Sequence, residues 1–225
     1  MVMNDNTIWM MIRKDIECLL IDMDGVILDN TYDNNFWQNH IPNVLSEKKN
    51  ISFEDAKRIA VQIFNYKKNT KDWYDLDYWS NMLGIDIEAE KKSEESLSKI
   101  KLYDNVTDTL SELRNHIRLI LITNAHRKTL NIKLDKYNIE PYFDAMVCSH
   151  ELNYVKEDIQ LWYMLRSEYR LNFDKTVLVE DTINNINVAL SAGVSSAIYV
   201  GDEDFKPSDR ILKLNSINQL LSAID

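Results

Sequence analysis

The sequence predicts an α/β fold: a parallel sheet flanked by helices, with a helical block inserted after the first strand. Three observations carry that prediction. Short apolar runs of the buried-strand kind recur at 17–21, 118–123, 145–148, 176–180 and 196–200. From the second run onward, stretches with helical apolar spacing separate them, which implies crossover connections and a parallel sheet. Residues 36–100, by contrast, contain no convincing strand.

The first run, Cys18-Leu-Leu-Ile21, leads straight into Asp22-Met23-Asp24-Gly25. Val26-Ile-Leu28 follows, and the polar cluster Asp29-Asn-Thr-Tyr-Asp-Asn-Asn35 reads as a loop leaving the sheet. A helix is predicted over 53–67 from Ala56, Ile59, Ala60, Ile63 and Phe64, with Ser52 as its N-cap. A second helical stretch is expected over 75–83, ended by Gly84, and a third within 87–100. This all-helical block is expected to form a cap domain over 31–100, leaving 1–30 and 101–225 as the core domain. In the core, Asp104 is the expected cap of a helix running to about 116, and helices are predicted over 127–137, 158–169 and 183–192, the last stopped by Gly193. The strand at 196–200 completes the alternation.

The totals exclude several kinds of partner. A chain of 225 residues with 45% hydrophobic and 28% charged residues has an ordinary globular composition. With 26 basic against 36 acidic residues its net charge is −10, a balance that repels a nucleic-acid polymer or an anionic membrane. A small phosphorylated metabolite remains compatible where a metal and a lysine invert the local sign. Cys18 and Cys148 each sit in an apolar run and are expected to be buried reduced thiols of a cytoplasmic protein. Residues 1–14 hold a short apolar patch, Ile8-Trp-Met-Met-Ile12, without the basic leader and cleavage site of a signal peptide, and no run is long enough to span a bilayer.

The chemistry gathers at strand ends. Side chains alternate along a strand, so Asp22 and Asp24 point the same way, with Met23 opposite. Two acids there repel unless a cation lies between them, and a hard divalent metal such as Mg²⁺ is the natural neutraliser. Thr123-Asn124 ends the second strand, Lys156 lies in the loop after the third, and Glu180-Asp181-Thr182 ends the fourth. Each alone has a plainer explanation. Asp-x-Asp-Gly and Thr-Asn are ordinary turn chemistry, most lysines solvate a surface, and Glu-Asp-Thr can cap the next helix. Their ordered recurrence at carboxyl-terminal strand edges points instead to convergence on one crevice.

In this order the four groups resemble the motifs of the haloacid dehalogenase (HAD) superfamily of phosphohydrolases, across nearly the whole chain. More narrowly, Asp33-Asn-Asn-Phe-Trp-Gln38, Leu76-Asp-Tyr-Trp-Ser80, Leu121-Ile-Thr-Asn-Ala-His126, Lys133-Leu134 and Lys156-Glu-Asp158 with Leu161-Trp162 look like the bacterial GMP/IMP nucleotidases within it. The chain departs from the superfamily pattern in having Val26 for Thr and Glu180 for the first Asp of an Asp-Asp pair. It departs from the subgroup in having Asn153 and Val155 where Gly and Pro are frequent.

The resemblance implies a Rossmann-like three-layer core and a Mg²⁺-dependent phosphomonoester hydrolase acting on purine nucleoside monophosphates. It implies Asp22 as nucleophile forming an aspartyl-phosphate, and Asp24 as general acid and base. Thr123 and Asn124 would hold a phosphoryl oxygen, and Lys156 would offset charge on phosphate and nucleophile. The metal would be held by Asp22, Asp24 through its carbonyl, and Asp181, with Glu180 as a further or water-mediated ligand. The cap aromatics Phe36, Trp37, Trp73, Tyr74, Tyr78 and Trp79 offer a purine a stacking face, or simply form the core of a helical subdomain. His126 and His150 lack evident metal-ligand partners and are expected to serve a polar loop. The alternatives are a phosphatase or phosphomutase acting on phosphoglycolate or a sugar phosphate, and a catalytically silent binding protein of the same fold.

Overall fold

A computed structural model of the chain describes residues 16–204 and 208–223. The apolar patch at 8–12 lies outside them. Five of the strands are those predicted: β1 (Cys18–Ile21), β2 (Arg118–Thr123), β3 (Ala145–Cys148), β4 (Thr176–Glu180) and β5 (Ser196–Val200). A sixth, β6 (Ile211–Leu214), extends the alternation beyond its expected end at residue 200. The sheet is wholly parallel in the order β3-β2-β1-β4-β5-β6, so β1 lies inside with β2 and β4 against it.

Alternation along the strands builds two cores. Leu19 and Ile21 of β1, with Leu119 and Leu121 of β2, enter one apolar cluster together with Leu110, Leu113 and Leu130. Cys18 and Leu20, with Ile120 and Ile122, face the other, which holds Leu161, Trp162, Leu165 and Ile186. Helices therefore cover both faces, the arrangement a fully buried parallel sheet requires. Both cysteines are buried and free, and burial pushes each thiol up to about 12.

Between β1 and residue 100 the chain forms seven α-helices and one π-helical turn. The polar cluster expected as a loop instead begins α1 (Thr31–Asn35), which runs through a π-helical turn (Phe36–His40) into α2 (Ile41–Lys49). The correction has a physical cause. Tyr32, Phe36, Ile41 and Leu45 bury one side of the run, and that apolar anchorage overrides the turn preference of the intervening Asp and Asn residues. Next come α3 (Phe53–Lys67), α4 (Lys71–Tyr74), α5 (Leu76–Leu83), α6 (Ile87–Lys91) and α7 (Glu94–Ser98). Ser52 caps α3 by accepting from Asp55 N, and Gly84 ends α5 at φ 62°. The buried stripe of α3 is narrower than predicted: Ala56, Ala60 and Phe64 face inward, while Ile59 is exposed. The third expected helix is two short ones, because Ser93 caps a new turn.

These helices enclose an apolar cluster of their own, in which Trp79 is buried among Phe64, Trp37, Trp73 and Tyr78 and donates its indole N–H to Trp73 O at 2.8 Å.

The core helices are α8 (Val106–Leu113), α9 (Arg127–Lys136), α10 (Ile159–Glu168) and α11 (Ile183–Ser191). Asn105, in the left-handed region at φ 58°, rather than Asp104, stands at the start of α8, without a side-chain capping bond. No helix among the described residues is long and apolar enough to cross a membrane.

Replacing Trp79 with Ala removes the largest buried side chain of the inserted helices and orphans a carbonyl. A loss of about 3–5 kcal/mol is expected from urea unfolding of the whole chain. A loss below about 1 kcal/mol would show that this interior is loosely packed.

Candidate active site

All four predicted groups lie at the carboxyl ends of neighbouring strands. Asp22 leaves β1 with its N–H donated to Val179 O at 2.9 Å. The chain then folds back on itself: Gly25 N donates to Leu28 O at 2.7 Å, and Ile27 and Leu28 both donate to Met23 O. This tight loop carries Asp22 and Asp24 into one cavity of about 670 Å³, which Thr123, Lys156, Glu180 and Asp181 also line. Gly25 sits at φ +86°, and a Cβ there would fall 1.8 Å from Asp181 Oδ2. A glycine is thus what allows the last acid to approach the first.

Lys156 is the hinge of the first half of the site. Its buried ammonium donates to Asp22 Oδ1 at 2.5 Å and to Glu180 Oε2 at 2.8 Å. Asn124 and Trp162 fix its backbone: Lys156 N donates to Asn124 Oδ1 at 2.9 Å, and Trp162 Nε1 donates to Lys156 O at 3.0 Å. Asn124 also accepts from Ser149 Oγ and donates to Glu157, so its side chain organises the lysine loop. Glu180 Oε1 accepts from Thr182 N and Asn185 Nδ2, and Asp181 Oδ2 accepts from Asn30 Nδ2 at 3.2 Å.

Ligand oxygens of Asp22, Glu180 and Asp181 lie within 4.8 Å of one another. Three carboxylates therefore face one ammonium. Burial, then the nearby Glu180 charge, pushes the Asp22 carboxyl well above its usual range, against the pull of Lys156. Burial works against charge on Lys156, but Asp22 and Glu180 outweigh it and hold its pKa above the ordinary value. The all-oxygen donor set and the excess negative charge fit a hard divalent cation.

In the second half of the site Asp24 was predicted and its charged partners were not. Asp24 Oδ1 accepts from Lys133 Nζ at 2.6 Å, and the same ammonium donates to Asp33 Oδ2 at 2.6 Å. Asp33 Oδ1 in turn accepts from Lys91 Nζ at 2.7 Å. Asp33 and Lys133 lie in segments that carry the family resemblance, but no role followed from that. The available signal was position: Lys133 follows Leu130 by three residues and Lys91 follows Ile87 by four, placing each charge on the buried face of its helix. Tyr74 adds a further link, donating its hydroxyl to Glu157 at 2.9 Å. Of the cap aromatics, Trp37, Trp73 and Tyr74 line the cavity, whereas Phe36 and Trp79 are interior.

The subgroup departures also find a place. Asn153 stands at φ 64°, the backbone region that favours glycine and that asparagine tolerates. Val155 N donates to Asp158 Oδ2, a bond a proline could not make.

The two histidines lie in the polar segments after β2 and β3, where His126 Nδ1 accepts from Lys128 N at the start of α9. His126 and His150 stack at 4.4 Å, and His126 lies with Asp75 and Asp77 in a group whose ligand atoms fall within 4.8 Å. The acids come from the inserted helices, so linear spacing concealed them. Asp75 caps α5 and Asp77 pairs with Lys128.

The matched family is haloacid dehalogenase-like hydrolase, over residues 19–199. The chain belongs to this family and is a hydrolase with its α/β fold. Over 227 residues it is 29% identical to the GMP/IMP nucleotidase YrfG of Escherichia coli (strain K12), covering 99% of this chain and 100% of that one. It is also 29% identical over 112 residues to the N-acylneuraminate-9-phosphatase of Homo sapiens, covering 49% of this chain and 45% of that one. Among solved structures, a HAD phosphatase from Thermococcus onnurineus superposes with a TM-score of 0.78 at 20% identity, over 93% of this chain and 98% of that one.

Two outcomes test this geometry. Gly25→Ala is expected to cost about 1–3 kcal/mol, through the left-handed φ and the displacement of Asp181; an unchanged melting temperature would show that the loop yields freely. Burial holds the His150 imidazole down at about 4, below the 6.5 of a free histidine. Between those values the unfolded chain binds more protons, so stability is complete above about pH 6.5 and falls as the pH drops toward about 4. Urea unfolding at about pH 6.5 and pH 5 should show the fall, and His150→Gln should flatten it; equal slopes in both proteins would remove His150 as a cause.

Proposed function

We propose that the chain is a Mg²⁺-dependent phosphomonoester hydrolase that dephosphorylates purine nucleoside monophosphates through an aspartyl-phosphate. The observation that carries the phosphoryl chemistry is the charge imbalance at the strand ends: three clustered carboxylates against the single ammonium of Lys156. Asp22, the carbonyl of Asp24, and Asp181 would hold the metal. Glu180, with both oxygens already engaged by the chain, would join through water. When bound, the cation neutralises the excess negative charge and polarises the phosphoryl oxygens.

Asp22 has one oxygen on Lys156, and none of the described residues donates a hydrogen bond to Oδ2. That free oxygen attacks phosphorus, forming the acyl-phosphate bond as the ester P–O bond breaks. Asp24 gives its proton to the departing alkoxide oxygen. In the second half it takes a proton from the water that adds to phosphorus, releasing phosphate and restoring the Asp22 carboxylate. Burial raises the Asp24 carboxyl above the usual range, which favours its carrying a proton at the start. Thr123 Oγ1 accepts from Ala125 N, leaving its hydroxyl proton for a phosphoryl oxygen, beside the backbone N–H of Asn124. Lys156 offsets charge on both nucleophile and phosphoryl group.

The substrate class rests on the full-length likeness to a GMP/IMP nucleotidase and on the shape of the cavity. Residues 31–100 act in this reading as a cap domain over the 1–30 and 101–225 core. They bring Trp37 and Trp73 to the cavity as faces for a purine, while Asn34, Gln38 and Asn65 offer amides to its edge. The half-length likeness to an N-acylneuraminate-9-phosphatase supports a sugar phosphate as the rival substrate.

The test is phosphate release from a panel of nucleoside and sugar monophosphates with Mg²⁺. GMP and IMP are expected to rank first, EDTA to abolish release, and Asp22→Asn to lower kcat by at least about 10³-fold. Sugar phosphates ranking above the nucleotides would overturn the substrate class, and substantial turnover by Asp22→Asn the nucleophile.

A further inference from the structure

Asp24 is held by a chain of charges, its two lysines buried and its two acids half-buried, that links the core to the inserted helices. Lys133, on α9 of the core, reaches Asp24 Oδ1 and Asp33 Oδ2 at 2.6 Å each, and Lys91, on α6 of the inserted helices, reaches Asp33 Oδ1 at 2.7 Å. Both ammonium groups are shut from solvent, and both lie near the ring of Tyr32, at 4.6 Å for Lys91 and 5.5 Å for Lys133. Two acids meet two bases, so this half of the site is balanced in charge, unlike the half around Asp22.

We propose that Lys133, anchored by Asp33, is a positioning residue that fixes the carboxyl of Asp24 for proton transfer. The proposal rests on the phosphomonoesterase reading above. A carboxyl group turns about its last bond through a broad, shallow range of angles. Here the ammonium grips Oδ1, and Oδ2, which takes no hydrogen bond from the described residues, is left to the cavity that Asp24 lines. The grip is itself fixed. Leu130 and Ile132 bury α9 against the sheet, and Asp33 holds the far side of the same ammonium. Lys91 completes the anchorage from the inserted helices, so the acid that serves the leaving group is oriented jointly by both parts of the chain.

A residue acting through a proton donor leaves a particular signature. Proton donation matters most for a strongly basic leaving oxygen, such as a nucleoside or sugar alkoxide, and least for an acidic phenol such as p-nitrophenol. The experiment compares the wild-type enzyme, Lys133→Met, Lys133→Arg and Asp24→Asn with Mg²⁺ on p-nitrophenyl phosphate and on whichever nucleoside or sugar monophosphate the panel ranks first. Lys133→Met is expected to lower kcat/KM, which reports the steps up to departure of the alcohol and not the later hydrolysis common to both esters, on the order of 10²-fold for the alkyl ester and less than about tenfold for the aryl ester. Asp24→Asn should show the same split, Lys133→Arg should recover part of the alkyl activity, and Lys133→Met should add less than about twofold in the Asp24→Asn background.

Equal losses on both esters, or losses that multiply in the double variant, would overturn the positioning role while leaving the phosphomonoesterase reading intact. Should Lys133→Met fail to fold, Asp33→Asn keeps the shape while releasing one side of the ammonium. The same split is then expected at smaller size, and its absence overturns the proposal. A wild-type enzyme that releases phosphate from no ester overturns both readings together.

Discussion

The structure depends on one ammonium group placed between two carboxylates at the ends of adjacent strands. β1 and β4 pair directly, Ile21 opposite Val179, so their next residues, Asp22 and Glu180, emerge side by side in a buried setting. Left unpaired, two such charges are costly to bury, and removing one member of a buried pair costs about 3–5 kcal/mol because the other is stranded. Lys156 resolves the conflict from the loop after β3, and its own position is secured at backbone level by Asn124 and Trp162. The ends of four strands are thereby tied together through one side chain.

Around that tie the cavity divides into two electrostatic halves. On the Asp22 side acids outnumber bases, an imbalance that in the proposed function a bound cation would offset. On the Asp24 side Lys133 and Lys91 match Asp24 and Asp33, and the attraction of the two ammonium groups holds the half-buried Asp33 carboxyl below its usual range despite the opposing effect of desolvation. Two neighbouring acids in a common loop thus receive different surroundings. That separation is what two chemically different duties require.

Much of this was legible in the sequence. The strand runs ending in Asp22, Thr123 and Glu180 are short and apolar, so their polar ends stand out, and parallel topology puts such ends on one edge. β6 was missed because Ile211-Leu-Lys-Leu214 is brief and carries a charge, its Lys213 being exposed at the outer strand of the sheet. The helical run from Thr31 was missed because Asp33, Asn34 and Asn35 have turn chemistry, and only burial of Tyr32 and Phe36 reveals the helix. Lys91 and Lys133 were illegible for a related reason. A lysine on an apolar helix face announces a buried charge, but its partners come from segments about a hundred residues away for Lys133 and nearly sixty for Lys91, and no local pattern names them.

The inserted helices show why a site of this kind needs a second packing unit. Their cluster around Trp79 is closed by its own aromatic contacts, so Trp37 and Trp73 can border open space without collapsing into the sheet. At the seam with the core, the contacts beside the cavity are polar: Tyr74 with Glu157, Lys128 with Asp77, and Lys133 with Asp33. The partly exposed contacts, Tyr74 with Glu157 and Lys128 with Asp77, exchange with water at little net cost, on the order of 1 kcal/mol each, whereas an apolar seam of the same extent would seal the cavity shut. Apolar packing crosses between the two parts elsewhere, where Tyr32, Leu97 and Ile100 join the cluster on the sheet. The polar groups are gathered on the part of the boundary that borders the cavity.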